Sequence, residues 1–372
     1  MRDNFRDAMP GAYLAGYEMP ADAMLTHPWL DSLELAVRRG QAVYRGLLDL
    51  KKRGFIPDVV LVHPGWGEAL FVKDVFPACR LVSFCEFYYQ AEGQDIGFDP
   101  ALPTSEDDKL KLRLRNMVQL QSLSCMDVGI SPTQWQRQSY PSIVQDRIEV
   151  IHDGIDTDTV KPDPAARFQL PDGRWLTSND EVITFVNRNL EPCRGFMSFM
   201  RSLPDLLRAR PHAEVLILGG DSVSYGQGLL NMTWRQALLE EVGSQLDLKR
   251  VHFLGKIPYT NFLKMLQISS AHIYLTYPFI LSWSMLEAMA AGCVVVGSRT
   301  APVEEVILDQ ENGYLVDFFD TDALVRIVAS ICSARESQAQ IRLAARQTIL
   351  DKFDLKRHCL PKQIVLLEQG VN

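Results

Sequence analysis

The second half of the chain alternates short apolar segments with longer segments in which apolar residues recur at helical spacing. The short segments are rich in β-branched residues, which predicts strands buried on both faces of a sheet. These predicted strands are 182–186, 214–218, 251–254, 272–276 and 293–297. Helical patterns lie between them, for example at 236–246, and two more follow at 322–333 and 338–353. Strict alternation of strand and helix predicts a doubly wound parallel sheet.

The first half shows a similar alternation after a segment without a clear pattern. Residues 1–30 contain only a weak strand pattern, at 13–17, and a long helical pattern at 31–54 follows. Strands are then predicted at 58–62, 80–84, 127–130 and 148–151, with a helix at 107–124. A second α/β sheet is therefore expected in this half.

Two local signals divide the chain further. Ser131 followed by Pro132 is typical of a helix start, with Ser131 as the N-cap. Segment 162–180 is polar and contains Pro, Gly and Asp, which predicts a linker. We therefore predict a first domain at 1–165, a second at 166–353 and a closing helical segment at 354–372.

Composition limits the classes of function. With 372 residues the chain can hold two domains, and its net charge of −8 argues against nucleic acid as the main partner. Its seven cysteines form no C-x-x-C pair, so neither a zinc site nor a redox motif is indicated. No apolar segment approaches the roughly 20 residues of a transmembrane helix. We expect a soluble, cytoplasmic protein with reduced thiols.

The predicted helix at 31–54 carries six cations on its polar side. They are Arg38, Arg39, Arg45, Lys51, Lys52 and Arg53. Two interpretations are open: an ordinary solvated face, or a surface that contacts anionic lipid or a lipid-linked acceptor at the inner face of a membrane.

The segment at 276–305 carries the most chemistry. Ser282 is a suitable N-cap for a short helix at 283–291, and Gly292 is a suitable end for it. Glu287 is the one carboxylate in this apolar helix. It marks either the solvent side of the helix or a contact with a ligand.

Candidate residues also follow predicted strands of the first domain. His63 begins the motif HPGWGE after 58–62, and Glu86 lies in the motif CEFYY after 80–84. Open α/β sheets bind ligands at the carboxyl ends of their strands, and a carboxylate among tyrosines suits a sugar. A glycine-rich turn with a structural His, and packing aromatics with a capping Glu, are the alternatives.

Turns after the strands of the second domain supply further candidates. Arg188 and Arg194 lie in the loop after 182–186, where solvated surface is the alternative interpretation. The sequence Gly219-Gly220-Asp221 follows the next strand, and Lys256 follows the third. Glycine permits close approach of a ligand to the backbone, although Gly-Gly-Asp is also an ordinary turn.

The segment TYPFILSWSMLEAMAAGCVVVGSRTAPVEE resembles the donor-binding segment of retaining glycosyltransferases of family four. The resemblance implies the GT-B fold, an α/β architecture of two Rossmann-like domains that face a cleft. It extends from about His27 to the C-terminus and is strongest between Asn187 and Glu305.

The resemblance also implies roles for residues in a nucleotide-sugar site. Glu287 would hold the ribose, with Ser282, Trp283 and Ser284 at a helix start that faces the diphosphate. Arg188 and Arg194 match two diphosphate-binding cations. Lys256 matches a base-contacting turn, and Glu305 closes the motif. No metal or cofactor is implied, and the last helix would pack back on the first domain.

This chain departs from the family pattern at several positions. Phe279 replaces the glutamate that the family has eight positions before Glu287, so the half of the motif that contacts the sugar is altered. Arg194 replaces a lysine, and Asp153 an asparagine. The motifs HPGWGE and CEFYY resemble a bacterial subgroup, whose opening strand, glycine-containing loop and helix we expect to be absent here. Their absence would affect catalytic competence.

Three hypotheses follow. The first is a retaining, metal-independent glycosyltransferase that moves a sugar to a glycan or lipid-linked acceptor in bacterial surface-polysaccharide synthesis, with Arg188, Arg194, Glu86 and His63 in the cleft. The second is a nucleotide-sugar epimerase that uses Glu86 and Glu68 as acid and base. The third is a non-catalytic subunit that binds a nucleotide sugar.

Overall fold

A computed structural model describes residues 11–18 and 27–369 of the chain. The first sheet has four parallel strands in the order β1-β2-β3-β4. These strands are β1 (Val59–Val62), β2 (Arg80–Phe84), β3 (Val128–Ser131) and β4 (Ile148–Val150). The helices around them are α1 (Asp31–Lys52), α2 (Val72–Val75), α3 (Glu106–Ser124), α4 (Gln134–Ser139) and α5 (Ser142–Gln145).

The segment expected to be a linker instead contains an antiparallel hairpin of β5 (Arg167–Gln169) and β6 (Trp175–Thr177). Its apolar residues Phe168, Leu170 and Leu176 are buried in the core of the second domain. The linker prediction was wrong because the segment is mostly polar, and its three buried apolar residues did not stand out as a strand pattern.

The second sheet has six parallel strands in the order β12-β11-β10-β7-β8-β9. They are β7 (Val182–Asn189), β8 (Glu214–Gly220), β9 (Val251–Gly255), β10 (Ala271–Tyr274), β11 (Val295–Ser298) and β12 (Tyr314–Val316). The helices are α6 (Phe196–Ala209), α7 (Trp234–Val242), α8 (Tyr259–Gln267), α9 (Trp283–Ala290), α10 (Ala301–Glu304), α11 (Thr321–Ser333), α12 (Ala339–Lys352) and α13 (Leu360–Glu368).

The strand order reverses between β7 and β10, since β8 and β9 extend the sheet on one side and β11 and β12 on the other. This confirms the doubly wound α/β architecture. In such sheets ligands bind outside the carboxyl ends of the strands at the reversal, so the segments after β7 and β10 are the first place to look.

Each sheet has its own core. The chain crosses between the two domains twice, and the two crossing segments lie side by side. Residues up to Ile151, apart from the loop that contains Phe98, pack with the first sheet, and residues from Ile155 to Phe353 pack with the second. At the crossing, the Ile155 amide donates to the Phe353 carbonyl at 2.8 Å, and the Leu355 amide donates back to Ile155 at 2.9 Å. Gly154 has a φ of +92°, and a Cβ there would lie 2.6 Å from Leu355 Cα. The two crossings are therefore packed tightly together.

The last helix lies on the first sheet. Leu366 of α13 packs against Val82 and Ile130, whereas α2 covers the opposite face through Val72 and Val75. The Gln363 amide also donates to the His152 carbonyl at 3.0 Å. The C-terminal segment thus joins the two domains a second time.

Two local predictions need correction, and one lies outside the described residues. Ser131 ends β3, and the side chain of Thr133 caps α4 instead, because it accepts from the Gln136 amide. The weak strand pattern at 13–17 forms no strand. Any pattern in 1–10 falls outside the described part of the chain.

Candidate functional site

Helix α9 begins next to the reversal point of the second sheet. Ser282 caps it, accepting from the Ser284 amide at 3.3 Å, as the sequence predicted. The Ser282 amide donates to the hydroxyl of Tyr274, the last residue of β10, at 2.8 Å. Gly292, with a φ of +82°, follows the end of the helix. The N-terminus of α9 is thereby fixed to the end of the central strand.

Arg194 lies directly beside this helix start. It ends a short 3-10 turn after β7, and only 7% of its surface is exposed. Its Nη1 donates to Thr276 Oγ1 and the Ile280 carbonyl, both at 2.9 Å, and to Tyr274 Oη at 3.4 Å. The Tyr274 hydroxyl therefore contacts both the Arg194 guanidinium and the backbone amide of Ser282, the N-cap of α9. Fixed positive charge and a helix N-terminus together favour an anion.

An aromatic cluster covers the guanidinium of Arg194. Phe279 is 1% exposed, and its ring centre lies 4.9 Å from that of Tyr225 and 4.9 Å from that of Phe87 in the first domain. The rings of Phe279 and Tyr225 each lie 5.4 Å from the guanidinium carbon of Arg194. The departure from the family pattern at position 279 thus places an apolar ring between the domains.

Arg188 occupies a different environment from Arg194. It is exposed, at the end of β7. Nearby Glu191 is 1% exposed and accepts from the Ser224 and Tyr225 amides at 3.1 and 2.8 Å. Burial raises the pKa of Glu191, and the positive charges of Arg194 and Arg188 oppose that rise. Arg188 is therefore open to solvent, whereas the buried Arg194 is part of the packed structure.

Glu287 faces a tyrosine of the preceding helix. The hydroxyl of Tyr259, at the start of α8, donates to Glu287 Oε1 at 2.6 Å. Burial raises the pKa of Glu287, and this hydrogen bond lowers it. The carboxylate therefore does not lie on the open solvent side of α9. Among the described residues, no hydrogen bond to its second oxygen, Oε2, is present.

The two glycines that end β8 pack closely on their neighbours. A Cβ on Gly219 would lie 2.7 Å from Leu190 Cδ2, and one on Gly220 would lie 2.7 Å from Asn189 Oδ1 and 3.2 Å from Lys256 Cε. A side chain at either position would therefore have to displace these neighbouring side chains, among them that of the exposed Lys256. Asp221 is ion-paired with Arg235 of α7 at 2.6 Å. The carboxylate of Asp221, which the sequence indicated as a candidate binding group, is therefore engaged in an ion pair.

In the first domain, His63 and Glu86 lie together at adjacent strand ends. Nε2 of His63 is 3.5 Å from Glu86 Oε2. Nδ1 of His63 accepts from the Gly65 amide at 3.1 Å, which places the imidazole proton on Nε2, toward the carboxylate. The ring of Trp66 lies 4.5 Å from the imidazole. The sequence had placed both residues in the cleft, and the structure brings them together.

Two side chains of the motif bridge the domains. The Trp283 indole donates to Asp153 Oδ2 at 3.1 Å. Glu305 accepts from the Gln134 and Trp135 amides at the start of α4, each at 2.8 Å. Burial raises the pKa of Asp153, and the negative charge of Glu86 adds to this rise. Asp153 therefore interacts with both Trp283 and Glu86. Glu305 instead binds the start of α4 in the first domain.

Two family models match the chain over almost all of its length. One, described as "Glycosyl transferase family 4 group", matches residues 1–160, and the other, "Glycosyl transferases group 1", matches residues 173–348. The chain belongs to the group 1 glycosyl transferases of family 4. The resemblance inferred from its motifs is thereby confirmed.

Curated relatives of this glycosyl transferase come from mycobacteria. The chain is 28% identical over 211 residues to a GDP-mannose-dependent alpha-(1-6)-phosphatidylinositol monomannoside mannosyltransferase of Mycolicibacterium smegmatis, covering 55% of this chain and 52% of that protein. It is 28% identical over 199 residues to a D-inositol 3-phosphate glycosyltransferase of Mycobacterium sp. (strain KMS), covering 54% and 42%. The chain spans about half the length of these relatives.

Solved structures share the fold of the whole chain. Sucrose-phosphate synthase from Thermosynechococcus elongatus superposes with a TM-score of 0.69 at 15% identity, covering 94% of this chain and 81% of that one. HepE from Anabaena in complex with UDP-glucose gives 0.62 at 14% identity, with 87% and 81% coverage. The likeness confirms the two-domain GT-B architecture.

Sequence motifs alone missed several residues of the candidate site. Glu191, Tyr225 and Tyr259 contact or support the predicted residues, yet they stand in no motif that identified them. The signal for Glu191 was its place between Arg188 and Arg194 in the loop. The signal for Tyr225 and Tyr259 was only their position shortly after a strand.

Proposed function

We propose that this glycosyl transferase moves a sugar from a nucleoside-diphosphate sugar to a glycan or lipid-linked acceptor, with retention at the anomeric carbon and without a metal ion. The observation that carries the proposal is the junction of Arg194, Tyr274 and the capped start of α9. A buried cation beside a helix N-terminus is a preorganised site for a diphosphate. Glu287 lies on the same helix, and its Oε2, which has no hydrogen bond within the described part of the chain, could accept from a ribose hydroxyl.

In the proposed reaction, negative charge develops on the leaving diphosphate at this junction. The bond from the anomeric carbon to the donor phosphate breaks, and the acceptor oxygen forms the new bond on the same face of the sugar. The acceptor proton goes to a phosphate oxygen of the leaving diphosphate. Arg188 and Arg194 stabilise the negative charge that develops there, so no protein side chain has to act as the base.

The acceptor side is formed by the first domain. His63, with its Nε2 proton directed at Glu86, and the indole of Trp66 form a polar edge with an aromatic face. Aromatic faces stack on the apolar sides of sugar rings, and carboxylates accept from hydroxyls. Glu86 and His63 would therefore orient the sugars across the cleft from Arg188.

A lipid-linked acceptor is supported more by the relatives than by the basic side of α1. Four of its six cations are engaged, namely Arg38 with Glu34, Arg39 with the Trp66 carbonyl, Lys51 with the Val75 carbonyl and Arg53 with Asp49. Arg45 and Lys52 are exposed. Within the described residues, no helix is both long and apolar enough to span a membrane. The mannosyltransferase relative acts on a phosphatidylinositol mannoside, and we extend only that acceptor class here.

The epimerase hypothesis has less support. Glu68, its second acid–base candidate, accepts from the Tyr17 hydroxyl at 2.9 Å and lies 3.4 Å from Arg39 Nε. A non-catalytic binding subunit is favoured by one observation, the aromatic cover that Phe279 places over Arg194. The epimerase and binding-subunit hypotheses differ from the glycosyl-transfer hypothesis in what the protein does to a bound donor.

The test is donor binding followed by turnover, both in the presence of chelator. Thermal shift against nucleoside diphosphates and their sugars identifies the donor, because a ligand of the native state raises Tm. Arg188→Ala and Glu287→Ala should abolish that shift, and Arg208→Ala, an exposed arginine at the end of α6, is the control. Hydrolysis or transfer supports the proposal, sugar interconversion supports an epimerase, and binding without turnover supports a binding subunit. Turnover that requires a divalent ion would contradict metal independence.

A further inference from the structure

The loop between β2 and α3 crosses from the first domain to the second. Its Phe98 ring centre lies 5.0 Å from that of Tyr277 and 5.4 Å from that of Phe318. The Tyr277 hydroxyl donates to Asp99 Oδ2 at 2.7 Å, and this bond is buried. The loop is therefore fixed to the second domain at its distal end, and the residues before Phe98 are held at the cleft.

Asp95 lies in the same loop, four residues before Asp99. Charges from both domains act on its carboxylate: Arg115 of α3 from the first domain and Arg194 from the second. Tyr89, whose ring centre lies 6.5 Å from that of Phe279, is also close enough to interact with it electrostatically. Asp95 thus lies within electrostatic range of Arg194 and Tyr89.

One oxygen of Asp95 has no hydrogen-bond partner among the described residues. This oxygen, Oδ1, is shielded from solvent. The backbone amides of Asp95 and Ile96 also act on the carboxylate and favour its charged form. Neither Arg115 nor Arg194 forms an ion pair with it in the part of the chain that the structure describes. A buried acceptor without a donor costs about 1–3 kcal/mol, so such a group is usually completed by something else.

The side chain at position 279 cannot accept a hydrogen bond from a sugar. Where the family has a glutamate eight positions before Glu287, this chain has the fully covered Phe279, which can accept nothing from a hydroxyl. Any carboxylate contact to a sugar hydroxyl in this part of the site would therefore come from another residue. Asp95 belongs to the first domain and interacts electrostatically with Arg194.

We propose that Asp95 accepts a hydrogen bond from a hydroxyl of the transferred sugar, and so determines donor specificity from the first domain in place of the second. This rests on the proposed function and specifies its sugar subsite. The aromatic rings of Phe279, Tyr225 and Tyr89 would shape the subsite, and Asp95 would supply its directional contact.

The test compares Asp95→Asn with Glu92→Gln, which neutralises an exposed carboxylate in the same loop. We expect Asp95→Asn to reduce kcat/KM for the nucleotide sugar about 10- to 100-fold, the range of one hydrogen bond to a charged group. Affinity for the free nucleoside diphosphate should stay within about twofold, since that part of the donor lies on α9 and Arg188. Glu92→Gln should match wild type in both.

Deoxy donors identify the hydroxyl and separate this role from a structural one. Wild type should lose about as much kcat/KM on one deoxy analogue as Asp95→Asn loses on the full donor, and the variant should lose little more on that analogue. If Asp95→Asn transfers as wild type does, or if its loss adds fully to that of every analogue, the inference is overturned. If wild type neither binds nor turns over any nucleotide sugar, the proposed function itself fails.

Discussion

The guanidinium carbon of Arg194 lies 5.4 Å from the centre of the Phe279 ring, inside a cluster that both domains build. Phe279 follows β10 in the second domain, and Phe87 reaches it from the first. A buried cation over a ring gains about 2 kcal/mol or more, so this contact stabilises the arginine in a dry environment. The ring therefore supports the cation that the proposed reaction needs, although it removes a carboxylate from the subsite.

Truncation of this ring should destabilise the protein strongly. Phe279→Ala removes a side chain that is 1% exposed, and such changes cost about 3–5 kcal/mol. Phe319→Ala is the matched control, since that ring is 44% exposed. We expect a large fall in the urea midpoint for the first variant and a small one for the second. Equal shifts would mean that the interdomain cluster is loosely packed.

The two arginines of the loop should separate stability from binding. Arg194→Ala removes three hydrogen bonds from a buried charged group, and the loss should reach about 2–4 kcal/mol. Arg188→Ala changes an exposed side chain, so Tm should stay close to wild type. Nucleoside-diphosphate affinity should fall in both, by about tenfold or more. Calorimetric binding measured beside thermal unfolding checks this, and an unchanged affinity in Arg188→Ala would remove that residue from the site.

Most of the fold was predictable from sequence because it depends on local periodicity. The strands β7 to β11 are apolar, and their helices show regular spacing, so each was placed within a few residues. The three-residue strand β12 was missed because it is too short to show a period. The hairpin of β5 and β6 was missed because its sequence is mostly polar turn.

The site was predictable only where a motif lies within one segment. Ser282 and Glu287 belong to one helix, and its cap could be predicted from residue types. The partners Asp153 and Asp95 could not, because their contacts come from the other domain, more than a hundred residues from the motif in the sequence. No spacing rule records which loops meet across a cleft.

The carboxyl of Asp95 should make stability depend on pH between about 4 and about 6. Burial raises its pKa from 3.8 to about 6, and hydrogen bonds from the Asp95 and Ile96 amides oppose the rise, as do the charges of Arg115 and Arg194. Its other titratable neighbours are Tyr89, Cys193 and Tyr277. Because the folded state holds this proton more tightly, the group costs stability as pH rises from about 4 to about 6, by at most ~3 kcal/mol. Asp95→Asn should therefore raise Tm at pH 7.5 and not at pH 4.

Glu92→Gln serves as the control for that measurement, because its carboxylate is exposed. A gain in Tm for Asp95→Asn together with a loss of donor turnover would identify a residue kept for function at a cost in stability. A fall in Tm at pH 7.5 would show instead that the charged carboxylate stabilises the loop.

The crossing between the domains should be sensitive to acid through His152. Its imidazole is 5% exposed and accepts from the Gly154 amide at 2.9 Å on Nδ1, beside Phe353 and Asp153. Burial lowers its pKa from 6.5 to about 4, so the folded state keeps it neutral while the unfolded chain takes up a proton. This contribution is complete above pH 6.5 and is lost as pH falls toward 4, at about 1.4 kcal/mol per pH unit. His152→Asn should flatten the pH dependence of unfolding by that slope, whereas the exposed His212→Asn should leave it unchanged. An unaltered slope in His152→Asn would mean that the acid sensitivity arises elsewhere, with the buried His272 as the next group to test.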